Sequence, residues 1–372
     1  MEEQRLSITL YLTPKCPLNC IYCFDDKRDC GSCIKEGSQE MNPEIAVSYL
    51  KTIIKNFNKF ILNAKEPELN IHFFGGEPTL RMDTIKSVVE FLEKEKIDSN
   101  YWISTNGVTS EKNIMWMISK NFRFDICCDG PPKIHDKQRP FVKGNLKSSS
   151  YIERLISLLV KNKSKIRLKV VVTNETIKNM PEILEYLSKL GINHIRLEAL
   201  LIDGRAITSK LKSVNPEEFV KYFFKAAKVA RELSKKTKRK IYVSNWALRN
   251  LFSPRDYFCQ FVRGNRIAIT AEGKVTKCVR NLHSDYNSPF VVGKISENDL
   301  DLDKGKLERL KKLSVDKMSP CNKCNFKYIC SGGCFNENYQ SSGNFSEPNK
   351  VKCKIAKLMI SQAFKEIKRI RG

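Results

Sequence analysis

Cys16, Cys20 and Cys23 are spaced C-x3-C-x2-C within the segment from Thr13 to Phe24. Three thiolates so placed can hold three irons of a cubane iron–sulfur cluster and leave the fourth iron open to another ligand. The other reading is a zinc loop short of one ligand. A second set follows near the C-terminus: Cys259-x13-Gly273-x4-Cys278, then Cys321-x2-Cys324-x5-Cys330-x3-Cys334, then Cys353. Only four histidines are present (His72, His135, His194, His283), and none is spaced with a cysteine pair as a zinc finger requires. Thiolate-only coordination means zinc or iron–sulfur, and spacing alone does not separate the two. Cys30 and Cys33 form a further C-x2-C that is open to four readings: ligands of a metal of their own, a redox pair, a reach toward a cluster held by the second set, or free surface thiols.

These cysteines need elements to position them. β-type runs fit Ser7–Leu12, Asn70–Phe74, Tyr101–Ser104, Phe124–Cys128, Ile166–Val172 and His194–Leu200. Helical patterns fall between them. The first runs from Pro43 to Leu62, with Asn42 as N-cap and Ile45, Tyr49, Ile53, Phe57 and Phe60 on one face. Others fit Met82–Glu95, Glu111–Ser119, Tyr151–Asn162, Met180–Leu190 and a helix starting at Pro216 behind Asn215. Strands alternating with helices imply a parallel sheet, with chemistry at the strands' C-terminal ends. The expected class is α/β: a partial (β/α)6 TIM-like barrel over residues 1–235. Residues 236–372 are expected to form a bridging segment and a small cysteine-rich domain ending in a helix from Lys350 to Ile370.

No apolar run reaches the ~20 residues of a membrane span, and the N-terminus lacks a signal peptide's basic start. The expectation is a cytoplasmic protein, where disulfides are disfavoured and thiolate metal sites preferred. The net charge of +25 suits an acidic partner, but the lysines are spread along the whole chain as a solvated surface would have them. No run interleaves basic and aromatic residues as a nucleic-acid surface does, so neither nucleic acid nor a membrane is expected as partner.

The first cysteine motif resembles that of the radical S-adenosylmethionine superfamily. Gly75-Gly76-Glu77-Pro78, Ser104-Thr-Asn106-Gly107 and Cys128-Asp129-Gly130-Pro131 with Arg139 fit the same family, each at the end of a successive strand. The resemblance implies that the open iron chelates S-adenosylmethionine and that its reductive cleavage yields a hydrogen-abstracting 5′-deoxyadenosyl radical. It also implies cofactor contacts from Tyr22, Gly75, Gly76, Glu77, Pro78, Ser104, Asn106 and Arg139. Relatives often carry serine where Cys127 stands, so Cys127 is either a weaker cofactor donor or a small buried hydrophobe. The C-terminal order resembles the SPASM extension of radical enzymes that modify peptides. By that resemblance Cys321, Cys324, Cys330 and Cys353 hold one auxiliary [4Fe-4S] cluster, and Cys259, Cys278 and Cys334 hold another, three clusters in all. The latter set is one protein ligand short. Either its open iron takes a substrate thiolate, or a ligand from elsewhere or water completes it.

Anaerobic sulfatase maturases share Asp129-Gly-Pro-Pro-Lys-Ile-His135-Asp136, but they place an aspartate directly after the Gly-x4-Cys cysteine. Val279 stands there and cannot take a proton. The resemblance then implies an oxidoreductase that matures a ribosomally made peptide, closing a cysteine sulfur onto a carbon as a thioether. Carbon–carbon cross-linking, formylglycine-type oxidation, action on a small molecule such as a tetrapyrrole, and a zinc-scaffolded binding protein are the alternatives. The implied partners are a precursor peptide with an acidic leader and an external flavodoxin or ferredoxin as electron donor. Because the barrel begins within ten residues of Met1, a peptide-recognition module is expected on a separate protein. No residue stands out as catalytic base.

Overall fold

The computed structural model describes residues 5–25, 39–61 and 66–371. Cys30, Cys33 and the expected helical position Leu62 lie outside the described residues. The strands are β1 (Leu6–Tyr11), β2 (Glu68–Phe74), β3 (Asp98–Thr105), β4 (Arg123–Cys127), β5 (Lys165–Val172), β6 (His194–Ala199), β7 (Tyr242–Ser244), β8 (Arg266–Ile269), β9 (Lys274–Thr276), β10 (Val291–Ile295) and β11 (Leu300–Leu302). Between the first six lie helices α1 (Pro43–Lys55), α2 (Met82–Lys94), α3 (Glu111–Ser119), α4 (Pro132–Gln138), α5 (Ser148–Lys161) and α6 (Met180–Lys189). The class is α/β with a parallel-sheet core, as the alternation predicts.

Two compact units divide the chain, and neither is continuous in sequence. The first holds residues 1–126, 136–167 and 260–311; the second holds 127–135, 168–259 and 312–372. In the first unit the strand order is β11-β10-β9-β8-β1-β2-β3-β4. β1 pairs in parallel with β2 on one side and β8 on the other, and β9 to β11 continue as an antiparallel meander. In the second unit β6 pairs in parallel with β7 as well as with β5.

Burial alternates along β2: Leu69, Ile71 and Phe73 are fully buried, whereas Asn70, His72 and Phe74 are half-buried. Each of these apolar side chains contributes roughly 2 kcal/mol to holding the helical layer on the sheet. The opposite face is polar across neighbouring strands, with Asn100 and Ser104 on β3 and Asp125 on β4.

Two helix ends differ from the pattern in sequence. α1 stops at Lys55 because Asn56 turns back: its Nδ2 donates to the Thr52 carbonyl at 2.9 Å, and a single 3-10 turn follows. α5 begins at Ser148, three residues before the apolar pattern predicts. The Asp136 carboxylate accepts from Ser149 N (2.7 Å), Ser149 Oγ (2.9 Å) and Ser148 Oγ (3.2 Å). Capping by a residue twelve positions upstream has no local sequence signature.

Candidate functional site

The cysteine loop leaves β1 and is held along its length by the segment that carries Arg139. Asn19 N donates to Pro140 O (2.7 Å), Ile21 N to Gln138 O (3.0 Å) and Val142 N to Pro17 O (2.9 Å). This strand-like pairing brings two remote motifs together. The Arg139 guanidinium lies 5.2 Å from the centre of the Tyr22 ring, and its Nη1 lies 3.9 Å from Cys20 Sγ. From the end of β3, Asn106 Nδ2 donates to Cys16 Sγ at 3.4 Å. Cys16 and Cys20 are buried and Cys23 is half-buried. Two sulfurs of the triad thus face N–H donors, which lower the energy of negative charge on a bound cluster.

The double glycine serves this loop directly. A Cβ on Gly75 would sit 2.5 Å from Thr13 O, and one on Gly76 would sit 2.3 Å from Lys15 O and 2.5 Å from Pro14 O. Gly76 N donates to Thr13 O and Glu77 N to Lys15 O, both at 2.8 Å. Only a chain without side chains there can come this close. Glu77 is fully buried. Its Oε1 accepts from Thr79 N (3.1 Å), Thr79 Oγ1 (2.7 Å) and Thr105 Oγ1 (2.8 Å), and its Oε2 accepts from Asn106 N (2.8 Å). Burial raises its pKa, and the four donors pull against that rise. The carboxylate ties the turn after β2 to the end of β3, with Oε2 keeping one lone pair. Pro78 is buried and opens the short turn behind Glu77.

Ser104 Oγ lies 2.8 Å from His72 Nε2, so the β3 hydroxyl is engaged with an imidazole that the motifs did not single out. His72 in turn stands 3.9 Å from Asp125, which Arg167 clamps through both carboxylate oxygens. Burial lowers the His72 pKa to about 4, against the pull of Asp125. The available signal was positional: His72, Ser104 and Asp125 each fall on the non-core face of an alternating strand. Cys127 is half-buried rather than packed away, and the fully buried thiol is Cys128, whose Sγ points at Gly130 O. Val279 packs with Phe74 and Phe261 against Tyr11, Ala268 and Leu282, so the residue after Cys278 is an apolar contact.

In the second unit, Cys321, Cys324, Cys330 and Cys353 line one cavity of about 390 Å³, together with Val315, Phe326 and Ala356. That volume has room for a polyatomic cluster. Burial, reinforced by the other cysteines, pushes the Cys330 thiol up to about 12; burial likewise takes Cys321 to about 11. Cys321, Cys330 and Cys353, all raised by burial, stay neutral on their own, and a bound cationic centre reverses this by holding them as thiolates. The donor set and the volume therefore fit an iron–sulfur cluster. Of the other predicted ligands, Cys259 and Cys334 belong to this unit and Cys278 to the first. Cys334 opens the helix Phe335–Ser342.

The family described as 4Fe-4S single cluster domain matches residues 5–153, which span the cysteine loop, the double glycine, Asn106 and Arg139. The radical SAM cyclopropyl synthase TigE of Paramaledivibacter caminithermalis is 24% identical and aligns with 99% of this chain and 76% of its own. In both comparisons the chain resembles radical S-adenosylmethionine enzymes. Its fold overlays on native anSMEcpe with bound AdoMet at a TM-score of 0.74, with 19% identity, covering 98% of the enzyme and 99% of that chain. It overlays on Streptococcus suis SuiB bound to precursor peptide SuiA at 0.64, with 15% identity, covering 93% and 75%. Among the enzyme's described residues no helix is long and apolar enough to cross a membrane.

Proposed function

We propose that the enzyme matures a ribosomally made precursor peptide, removing hydrogen from a peptide carbon and closing that carbon onto a cysteine sulfur as a thioether. The observation that carries this reading is the cavity of the second unit lined by four cysteines; they would supply a full ligand set for a cluster beyond that of the Cys16–Cys20–Cys23 triad. In this reading residues 1–235 form the radical-generating part and 236–372 the auxiliary-cluster part. The likeness to SuiB, solved with a precursor peptide, supports a peptide as substrate.

When bound, S-adenosylmethionine and the triad's cluster supply the hydrogen-abstracting radical. The chain's own residues hold and shield that centre. Asn106 and Arg139 brace the sulfurs of Cys16 and Cys20, and Tyr22 stacks beneath Arg139. Gly75, Gly76 and Pro78 keep the loop seated, while Glu77 fixes the β3 end and offers its remaining lone pair to the methionine ammonium. Ser104 is assigned to the cofactor's polar edge, oriented by His72. Cys321, Cys324, Cys330 and Cys353 hold one auxiliary cluster. Cys259, Cys278 and Cys334 hold the other, making three, and its open position takes the substrate thiolate.

A second reading, ring closure between two carbons of the peptide, is favoured by the likeness to TigE along almost the whole chain. One experiment separates the two. The enzyme is reconstituted anaerobically with iron and sulfide, then given dithionite, S-adenosylmethionine and the peptide encoded nearest its gene. A loss of two hydrogens with one cysteine protected from alkylation is the expected result. The same loss with every thiol free selects the carbon–carbon reading. Formation of 5′-deoxyadenosine with an unchanged peptide overturns the peptide as substrate.

A further inference from the structure

The chemistry proposed above must release a proton, and the position after Cys278 cannot take one. Five residues beyond Cys278 stands His283, and it is built into a three-residue constellation within the first unit. Its Nε2 lies 2.9 Å from Asp25 Oδ1 and 3.2 Å from the Tyr11 hydroxyl, and that hydroxyl donates to Asp25 Oδ2 at 2.8 Å. The rings of Tyr11 and His283 meet edge to face at 5.2 Å. Asp25 is 6% exposed, whereas the His283 side chain keeps 31% of its surface. A buried carboxylate and a hydroxyl beside a partly open imidazole hold the ring in one orientation. The Tyr11 hydroxyl gives its proton to Asp25, so its oxygen is left to accept from Nε2; the other nitrogen, Nδ1, then carries the lone pair and has no hydrogen-bond partner among the described residues.

Position supports the same reading. Tyr11 is the last residue of β1 and pairs in register with Phe74, the last of β2, so the constellation sits at the strand ends where the cysteine loop emerges. Asp25 follows Cys23 by two residues, and Phe24 between them stacks on Phe74 with ring centres 6.4 Å apart. Among the described residues, two cations stand at this corner. The Arg280 guanidinium lies 5.0 Å from the centre of the Phe24 ring, and Lys274 Nζ holds the carbonyls of Leu282 (3.3 Å) and Ser284 (2.5 Å) on either side of the histidine.

We propose that His283 Nδ1 is the proton acceptor of the peptide oxidation, with Asp25 and Tyr11 as its positioning residues. The proposal rests on the peptide reading. Removal of two hydrogens divides into a hydrogen atom, a proton and an electron. The peptide C–H bond breaks homolytically and its hydrogen leaves as part of 5′-deoxyadenosine. The cysteine S–H proton passes to Nδ1, the sulfur–carbon bond forms, and the surplus electron leaves to a bound iron–sulfur cluster.

The test uses the whole enzyme, the peptide encoded nearest its gene, and two readouts. The first is the ratio of modified peptide to 5′-deoxyadenosine. It falls about a hundredfold in His283→Gln, the scale of a lost general base, and by a smaller factor in Asp25→Asn and Tyr11→Phe. The second needs neither cluster nor peptide. The imidazole proton resonances of His283, assigned by their loss in His283→Gln, are recorded in the metal-free protein at fixed pH; Asp25→Asn and Tyr11→Phe each displace them, because each removes a group packed on the ring. If wild type modifies the peptide and His283→Gln keeps the ratio, the proton-acceptor role is overturned while the peptide reading stands. If wild type forms 5′-deoxyadenosine but leaves the peptide intact, the peptide reading falls and His283 loses this role with it. If Asp25→Asn and Tyr11→Phe leave the imidazole resonances in place, the constellation itself is overturned.

Discussion

Gly76→Ala tests whether the double glycine exists to seat the cysteine loop. A Cβ there would lie 2.3 Å from Lys15 O and 2.5 Å from Pro14 O, where ordinary contact begins at 3.4 Å. The obstacle is backbone, so no side chain can swing aside, and the loop must retreat by about 1 Å. That retreat stretches the Gly76–Thr13 and Glu77–Lys15 hydrogen bonds from 2.8 Å to beyond bonding distance. Each bond is worth about 1 kcal/mol net, and residual overpacking adds at least about 1 kcal/mol more. A cost of about 3 kcal/mol disfavours the seated loop by roughly a hundredfold. After anaerobic reconstitution, bound iron should fall by about four atoms, one cubane's worth, and 5′-deoxyadenosine formation by about two orders of magnitude. Gly305→Ala is the control: it lies in the helix Lys304–Lys311, where the new methyl meets only the Asp303 side chain at 3.3 Å. A Gly76→Ala protein that keeps its full iron and wild-type 5′-deoxyadenosine formation would refute the reasoning.

Cys330→Ser should remove the second unit's cluster, lowering bound iron by about four atoms and abolishing peptide modification while 5′-deoxyadenosine still forms; iron assay and mass spectrometry check it. Glu77→Gln places an amide NH2 among four donors, so at least one donor loses its acceptor, at a cost of about 2 kcal/mol; a lower midpoint in thermal unfolding is expected, and an unchanged one counts against the brace. His72 sets a pH dependence. Its folded pKa of about 4 lies below the unfolded 6.5, so the unfolded chain binds more protons between those values. Stability is therefore lost as pH falls from 6.5 to 4, by roughly 3 kcal/mol at most, since the imidazole is about a quarter exposed. Denaturant unfolding at stepped pH should show that slope flattened in His72→Gln.

The strands and helices up to about residue 237 were legible because each core position repeats locally, at period two along β2 and at helical period along α2. Their ends were less so. The stop at Asn56 and the early start at Ser148 depend on one side chain bonding a particular backbone group. β8 escaped notice for a related reason: it is four residues long, and its pairing with β1 joins segments some 260 positions apart.

By itself the sequence determined what the cysteine motifs could ligate, since thiolate count and spacing are properties of a short stretch of chain. It also located the strand-end motifs, because an alternating strand announces where it ends. Only the tertiary structure decided which partners those motifs meet. Arg139 reaches Cys20 through backbone pairing of two loops, Asn106 reaches Cys16 across two strands, and four cysteines spread over residues 321–353 enclose one cavity. Asp25, His283 and Tyr11 form no motif at all. They meet because β8 lies beside β1 and brings the chain that follows it back to the cysteine loop. Contacts of that kind depend on strand order, a long-range property that no local spacing encodes.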